Sequence, residues 1–143
     1  MNNRYLCKAK RKDNNEWVTG YYVFQRKRSG VFGQVISELD FDRHLIIDLR
    51  GNSHEVIPKT VSQYTGLEDK NGKWIFEGSV VKDKDSGLFG KVVFATSADG
   101  FDGMAGFMVD DVDDGLQNYN GFWHLVEVIG NIHDNPELLE VER

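Results

Sequence analysis

The chain has 143 residues, of which 40% are hydrophobic and 28% charged, and its net charge is −6. That length holds one sizeable core or two small β units packed together, and the composition excludes a disordered chain. No run approaches the roughly 18 apolar residues of a membrane helix, the first fifteen residues lack the apolar segment of a signal peptide, and one cysteine, Cys7, excludes an internal disulfide or a thiolate-rich metal site.

These exclusions predict a protein that stays in the host cytoplasm where it is made and has no membrane partner. Charge is unevenly placed: Met1 to Arg28 carries eight basic side chains against two acidic ones, a net of +6, so the rest carries −12. Such a split predicts an anionic partner, or a second copy whose acidic surface meets the basic segment.

Arg4 to Phe24 reads as a hairpin turning at Asp13-Asn14-Asn15. A two-residue Asn14-Asn15 loop sets Lys12 opposite Trp17 and Lys10 opposite Thr19, gathering Lys8, Lys10, Lys12, Trp17 and Tyr21 on one face. A three-residue loop puts Val18 and Tyr22 beside the lysines instead. Because a slip of one residue exchanges the faces, the sequence leaves the register open. Cys7 reads as a small buried residue of the first strand.

Gln25 to Gly33 reads as a polar, basic, mobile connection, and Val31 to Leu39 as a short strand or a weak helical turn. The β-branched run in His44–Leu49 predicts a strand buried on both faces or nearly so, paired through Gly51-Asn52-Ser53 with Glu55-Val56-Ile57. From Val61 the chain alternates, breaks at Asp69-Lys70-Asn71-Gly72 and resumes as Lys73-Trp74-Ile75-Phe76, the pattern of a hairpin. Glu77-Gly78-Ser79 then leads into Val80–Asp83.

Further strands are expected at Lys91–Ala95, Gly106–Val109 and Trp123–Ile132, separated by loops at Lys84–Gly87, Ser97–Gly103 and Asp110–Gly121. Asn135-Pro136 reads as the cap and first residue of a short helix. The fold class expected is mainly β: bent antiparallel sheets, a small SH3-like barrel in the C-terminal part and one short C-terminal helix. Residues 1-57 form an N-terminal hairpin region and 58-143 a barrel-like domain, or the two are one continuous domain.

Two blocks, QYTGLEDKNGKWIFEGSVV (63–81) and EVIGNIHDNPELL (127–139), resemble the YopX family of phage and prophage proteins. Gln63, Tyr64, Thr65, Gly66, Leu67, Asp69, Asn71, Gly72, Ile75, Glu77 and Gly78 fall in one register with the family's block. Ser79 stands where the family has Asp. The opening RYLCKAKRKDNNEWVTGYYV resembles the family's first hairpin. The resemblance implies a phage or prophage context and transfers no catalytic residue.

Site by site, the chemistry thins out. The four histidines, His44, His54, His124 and His133, include no pair at metal-ligand spacing and no cysteine partner. In Asp110-Asp111-Val112-Asp113-Asp114-Gly115, counting back from the glycine puts Val112 at the third ligand position of a calcium loop, so that motif fails and a solvated acidic loop is expected. No nucleophile elbow accompanies the serines, and Gly100, Gly103 and Gly106 do not lead a strand into a helix. Asp69 and Glu77 lie in turns, where acids cap backbone amides.

The expectation is therefore no enzyme, no cofactor and no metal. The protein should be an accessory β domain that binds a protein or assembles with copies of itself. The alternative is a single-stranded nucleic-acid-binding barrel using Lys8, Lys10, Lys12, Trp17 and Tyr21, with lysines on phosphates and rings on bases. A solvated face whose lysine stems cover the rings is the plainer reading of those residues.

Overall fold

Hairpins that turn on Asp and Gly dictate the architecture. The computed structural model describes residues 5–27, 41–95, 106–117 and 123–140, and over them the chain forms antiparallel strands joined by short turns, with 3-10 helices of a single turn. It divides into two compact units, Arg4–Gln63 and Tyr64–Arg143. Ser62 and Gln63 pair with the first strand of the N-terminal unit. Among the described residues no helix is long and apolar enough to cross a membrane.

The N-terminal unit holds β1 (Cys7–Lys10), β2 (Trp17–Lys27), β3 (Phe41–Asp48), β4 (Ser53–Glu55) and the start of β5 (Ser62–Glu68). Its ladder runs β4-β3-β2-β1 and then Ser62-Gln63. Lys10 pairs with Trp17 and Lys8 with Thr19. The connection therefore spans Lys12–Asn15, longer than either loop expected. Its closure rests on Asn15, whose φ of 60° is the left-handed conformation asparagine tolerates, and on the Arg11 amide donating to Glu16 O at 2.8 Å.

Ala9, Ile46 and Val56 form the centre of this unit, with Cys7, Val18 and Val61 packed against them. Burial of β3 is complete on one face and partial on the other: Ile46 is buried, while Leu45 and Ile47 point to the opposite face and are half-buried. The strand has a covered face and an outward one, so its apolar run exceeds what its core takes up. Val31–Leu39 and the later part of Gln25–Gly33 lie outside the described residues, whereas Gln25–Lys27 continues β2.

In the C-terminal unit, the end of β5 pairs with β6 (Trp74–Phe76), confirming the Asp69–Gly72 turn. A five-stranded sheet follows in the order β10-β9-β8-β7-β11, made of β7 (Ser79–Asp83), β8 (Leu88–Ala95), β9 (Gly106–Asp111), β10 (Gly115–Gln117) and β11 (Glu127–Asn131). The last strand returns to the free edge of β7 directly after a 3-10 turn at Trp123–Leu125, the connectivity of a small SH3-like barrel. Among the described residues no ladder joins β10 to β11, so the sheet stays open there. Its core gathers Ile75, Val81, Leu88, Val92, Val109, Trp123 and Val126, each contributing about 2 kcal/mol by leaving water.

Three expectations here are corrected. β10 lies inside the stretch read as the loop Asp110–Gly121, because Asp111 opens a tight hairpin turn. Trp123–Leu125 is a 3-10 turn ahead of the strand rather than part of it. The C-terminal helix is a single 3-10 turn, Pro136–Leu139, and Asn135 does not cap it. Asn135 Oδ1 instead accepts from the Asn131 amide at 3.3 Å. A Cβ on Gly130 would stand 2.5 Å from that oxygen and 2.9 Å from Leu138, so glycine lets the tail fold back on the strand. Ser97–Gly103 lies outside the described residues.

Four turns share one device. Asp48, Asp69, Asp83 and Asp111 each end a strand and accept hydrogen bonds from turn amides, and a glycine of positive φ follows at 51, 72, 87 or 115. Asp69 extends the device across the unit. Its Oδ1 accepts from Asn71 and Lys73 at 2.8 Å each and its Oδ2 from Val128 at 2.9 Å, while the Lys70 amide donates to Val126 O at 2.9 Å. A second tie joins the Ile132 amide to Gly78 O at 2.9 Å.

Asp69 is 5% exposed. Burial pushes its carboxyl up, yet the Val128, Lys73 and Asn71 amides and the Lys73 charge outweigh this and hold it below its ordinary value. A depressed folded value means stability that is present above the ordinary carboxylate range and is lost as pH falls through the folded value. Asp69→Asn, which sets an amide group against the Val128 N–H, is therefore expected to destabilise the protein at neutral pH by about 2–3 kcal/mol. In urea titrations the gap from wild type should narrow as pH falls below 4; a gap constant with pH contradicts this role for the charge.

Candidate binding face

Alternation along the N-terminal sheet sorts its residues onto two faces. Register places Lys8, Lys10, Trp17, Thr19 and Tyr21 on the outward face, which then runs on through Val23 and Lys27 of β2 and Phe41, Arg43, Leu45 and Ile47 of β3. The longer turn shifts the pairing by two residues, which preserves the faces of the two-residue alternative. Four of the five residues singled out in the sequence thus come together.

Lys12 does not join them. It belongs to the turn, where its amide donates to Glu55 O at 2.9 Å and its ammonium lies 3.8 Å from the Glu55 carboxylate. Both groups are exposed, so the pair contributes little. The turn is what removes Lys12, since Arg11 is the last residue of the strand pairing and bridges to Val56.

Lys8 Nζ stands 4.5 Å from the Trp17 ring centroid and Lys10 Nζ 5.6 Å. The Arg43 guanidinium lies 4.1 Å from the Phe41 ring. Rings and cations at both ends of the face thus already engage one another. Between them stand Tyr21, 41% exposed, and Val23, 40% exposed, opposite Ile47 and Leu45. Glu55, already beside Lys12, is the acid that register adds to this face.

The reverse face carries a different cluster. The Tyr22 hydroxyl lies 2.5 Å from His44 Nδ1, and the His44 ring stands 5.0 Å from that of Phe24. His54 Nε2 lies 2.8 Å from Asp48 Oδ2. That bond, reinforced by the Asn52 and Arg50 amides, lowers the Asp48 carboxyl to about 2. Among the described residues no three of His, Cys, Asp and Glu gather as metal ligands.

Two shallow cavities of about 280 Å³ each carry balanced charge. In the N-terminal unit Arg11, Lys12 and His54 meet Asp13 and Glu55; in the C-terminal unit Lys70 and Lys82 share Glu127 at 3.9 Å each. Burial raises the Glu77 carboxyl, and Ser79 Oγ accepts from the Phe76 amide at 3.0 Å, a backbone-holding role. Asp69 and Glu77 do not form a working pair of carboxylates, since Asp69 is engaged by three amides.

A sequence model described as YopX protein matches residues 8–140. The chain belongs to the YopX family. A search of the curated proteins finds no match. In this YopX-family chain the two blocks of the resemblance are hydrogen-bonded to each other, Asp69 to Val128 and Gly78 to Ile132, with Lys70 bonded to Val126 just ahead of the second block.

Sequence reasoning missed the half of the face beyond Tyr21. The odd-numbered apolar and basic residues of β2 were its signal, although their partners on β3 needed the register. If Lys8 lies over Trp17 in solution, a double-mutant cycle of Lys8→Ala and Trp17→Leu should give a coupling of about 0.5–1 kcal/mol in urea unfolding; a coupling of zero removes the contact.

Proposed function

We propose that this chain is a phage- or prophage-encoded accessory protein that works in the host cytoplasm by binding and self-association, without catalysis. The observation that supports it is the outward face of the N-terminal sheet, where apolar side chains lie between two groups of cations on a chain whose remainder is acidic. Exposed contiguous apolar surface rimmed by charge marks interaction sites. Against catalysis, Asp48, Asp69, Asp83 and Asp111 each hold turn amides. The phage context comes from the family alone.

Nucleic acid is the second reading, favoured by lysines beside Trp17. It is the weaker one, because the Trp17 ring is engaged by ammonium groups and the centre of the face offers one ring, Tyr21, among Val23, Leu45 and Ile47.

Light scattering at low and high salt tests the proposal. An assembled mass near 50 mM salt that falls toward the monomer at about 1 M is expected, since the cations at both ends are at least partly exposed and salt screens them. A monomer mass at both salts, at all concentrations, overturns it.

A further inference from the structure

Beyond Gly20, β2 has lost its neighbour β1, and β4 covers only Leu45–Ile47 of β3. Gln25–Lys27 and Phe41–Arg43 are therefore a two-stranded ribbon among the described residues. A lone ribbon is marginal in water, so an occupant that covers it stabilises both. From Trp17 to Lys27 the outward face runs about 33 Å, with an apolar centre and cations at either end.

A second identical face is excluded as occupant, because Lys8, Lys10, Lys27 and Arg43 would meet their own kind. The complement is an apolar tip flanked by acids. Among the described exposed large apolar residues of the C-terminal unit, Leu67, Phe94, Val112 and Leu125, Val112 alone is followed by two exposed acids, Asp113 and Asp114, while Asp111 before it is buried. It is 41% exposed and sits at the tip of the β9–β10 turn, next to the exposed Asp113 and Asp114.

That tip is held in shape. Asp111 Oδ1 accepts from the Asp113 and Asp114 amides at 2.8 and 3.0 Å, its Oδ2 accepts from Phe89, and the Val112 amide donates to Phe89 O at 2.9 Å. A preformed tip loses little freedom on docking.

We infer that the Asp110–Asp114 turn of one copy docks on the outward face of another. Val112 sits on Tyr21, Val23, Leu45 and Ile47, and the exposed Asp113 and Asp114 face the flanking cations. The inference rests on self-association as proposed above and names the surfaces that perform it. Each copy carries one turn and one face, so the contact is head-to-tail and builds a ring or an open chain rather than a twofold dimer.

Two variants test it: a face variant, Val23→Asp with Arg43→Glu, and a turn variant, Val112→Lys with Asp113→Lys. All the substituted side chains are exposed, and cooperative thermal unfolding near the wild-type midpoint verifies that each variant folds. Each alone should raise the concentration for half-association at low salt by at least about tenfold. Mixed in equal amounts, they should form a one-to-one pair and nothing larger, because each supplies the half that the other lacks.

A mixture of folded variants that stays monomeric overturns the inference. So does a turn variant that assembles like wild type while the face variant does not, a result that leaves self-association standing. Wild type that remains monomeric removes the association reading itself. Binding of a single-stranded oligonucleotide at low salt, lost in the face variant, would assign the face to nucleic acid and overturn the docking.

Discussion

A buried carboxylate that accepts three backbone amides holds the C-terminal unit together. In a protein made of short hairpins, every turn leaves amides without ladder partners, and an amide buried unpaired costs about 1–3 kcal/mol. Asp69 satisfies two amides of its own turn and one on β11, 59 residues away. Asp48, Asp83 and Asp111 do the local part of that task at three other turns. The sheets therefore owe their shape to acids that serve the backbone.

That arrangement separates scaffold from surface. Carboxylates occupied by amides are poor candidates for proton transfer, and in the C-terminal sheet Val81, Val92 and Val109 are taken up by the core with Trp123, while Phe94 stays exposed. The N-terminal unit has a smaller core centred on Ala9, Ile46 and Val56. It leaves Tyr21, Val23, Leu45 and Ile47 turned outward beside lysines and arginine. Apolar surface unused by folding is what the structure offers a partner.

Local chemistry was legible in the sequence, and distant chemistry was not. Asp69-Lys70-Asn71-Gly72 announces its hairpin because the turn's amides and the φ of Gly72 are determined within a few residues. The mainly β class and the YopX blocks were equally plain. The first register was not, since a four-residue connection closed by Asn15 in a left-handed conformation has no stronger signature than its shorter rivals. β10 hid in an acidic stretch whose second carboxylate, Asp111, serves the turn. The tie from Asp69 to Val128 could not be read, as nothing in either block names its partner. The outward face was half visible: the lysines and Trp17 stand near one another in sequence, whereas Arg43, Leu45 and Ile47 reach the same face only through pairing with β2.

Amide hydrogen exchange, read by mass spectrometry on the protein at low and at high salt, tests the central claim most directly. The account predicts slower exchange at low salt in Trp17–Lys27, Phe41–Asp48 and Asp110–Gln117, with the amides of Asn71, Lys73 and Val128 equally protected in both. Protection that changes in the Asp69 turn and β11 while the outward face stays the same would contradict it.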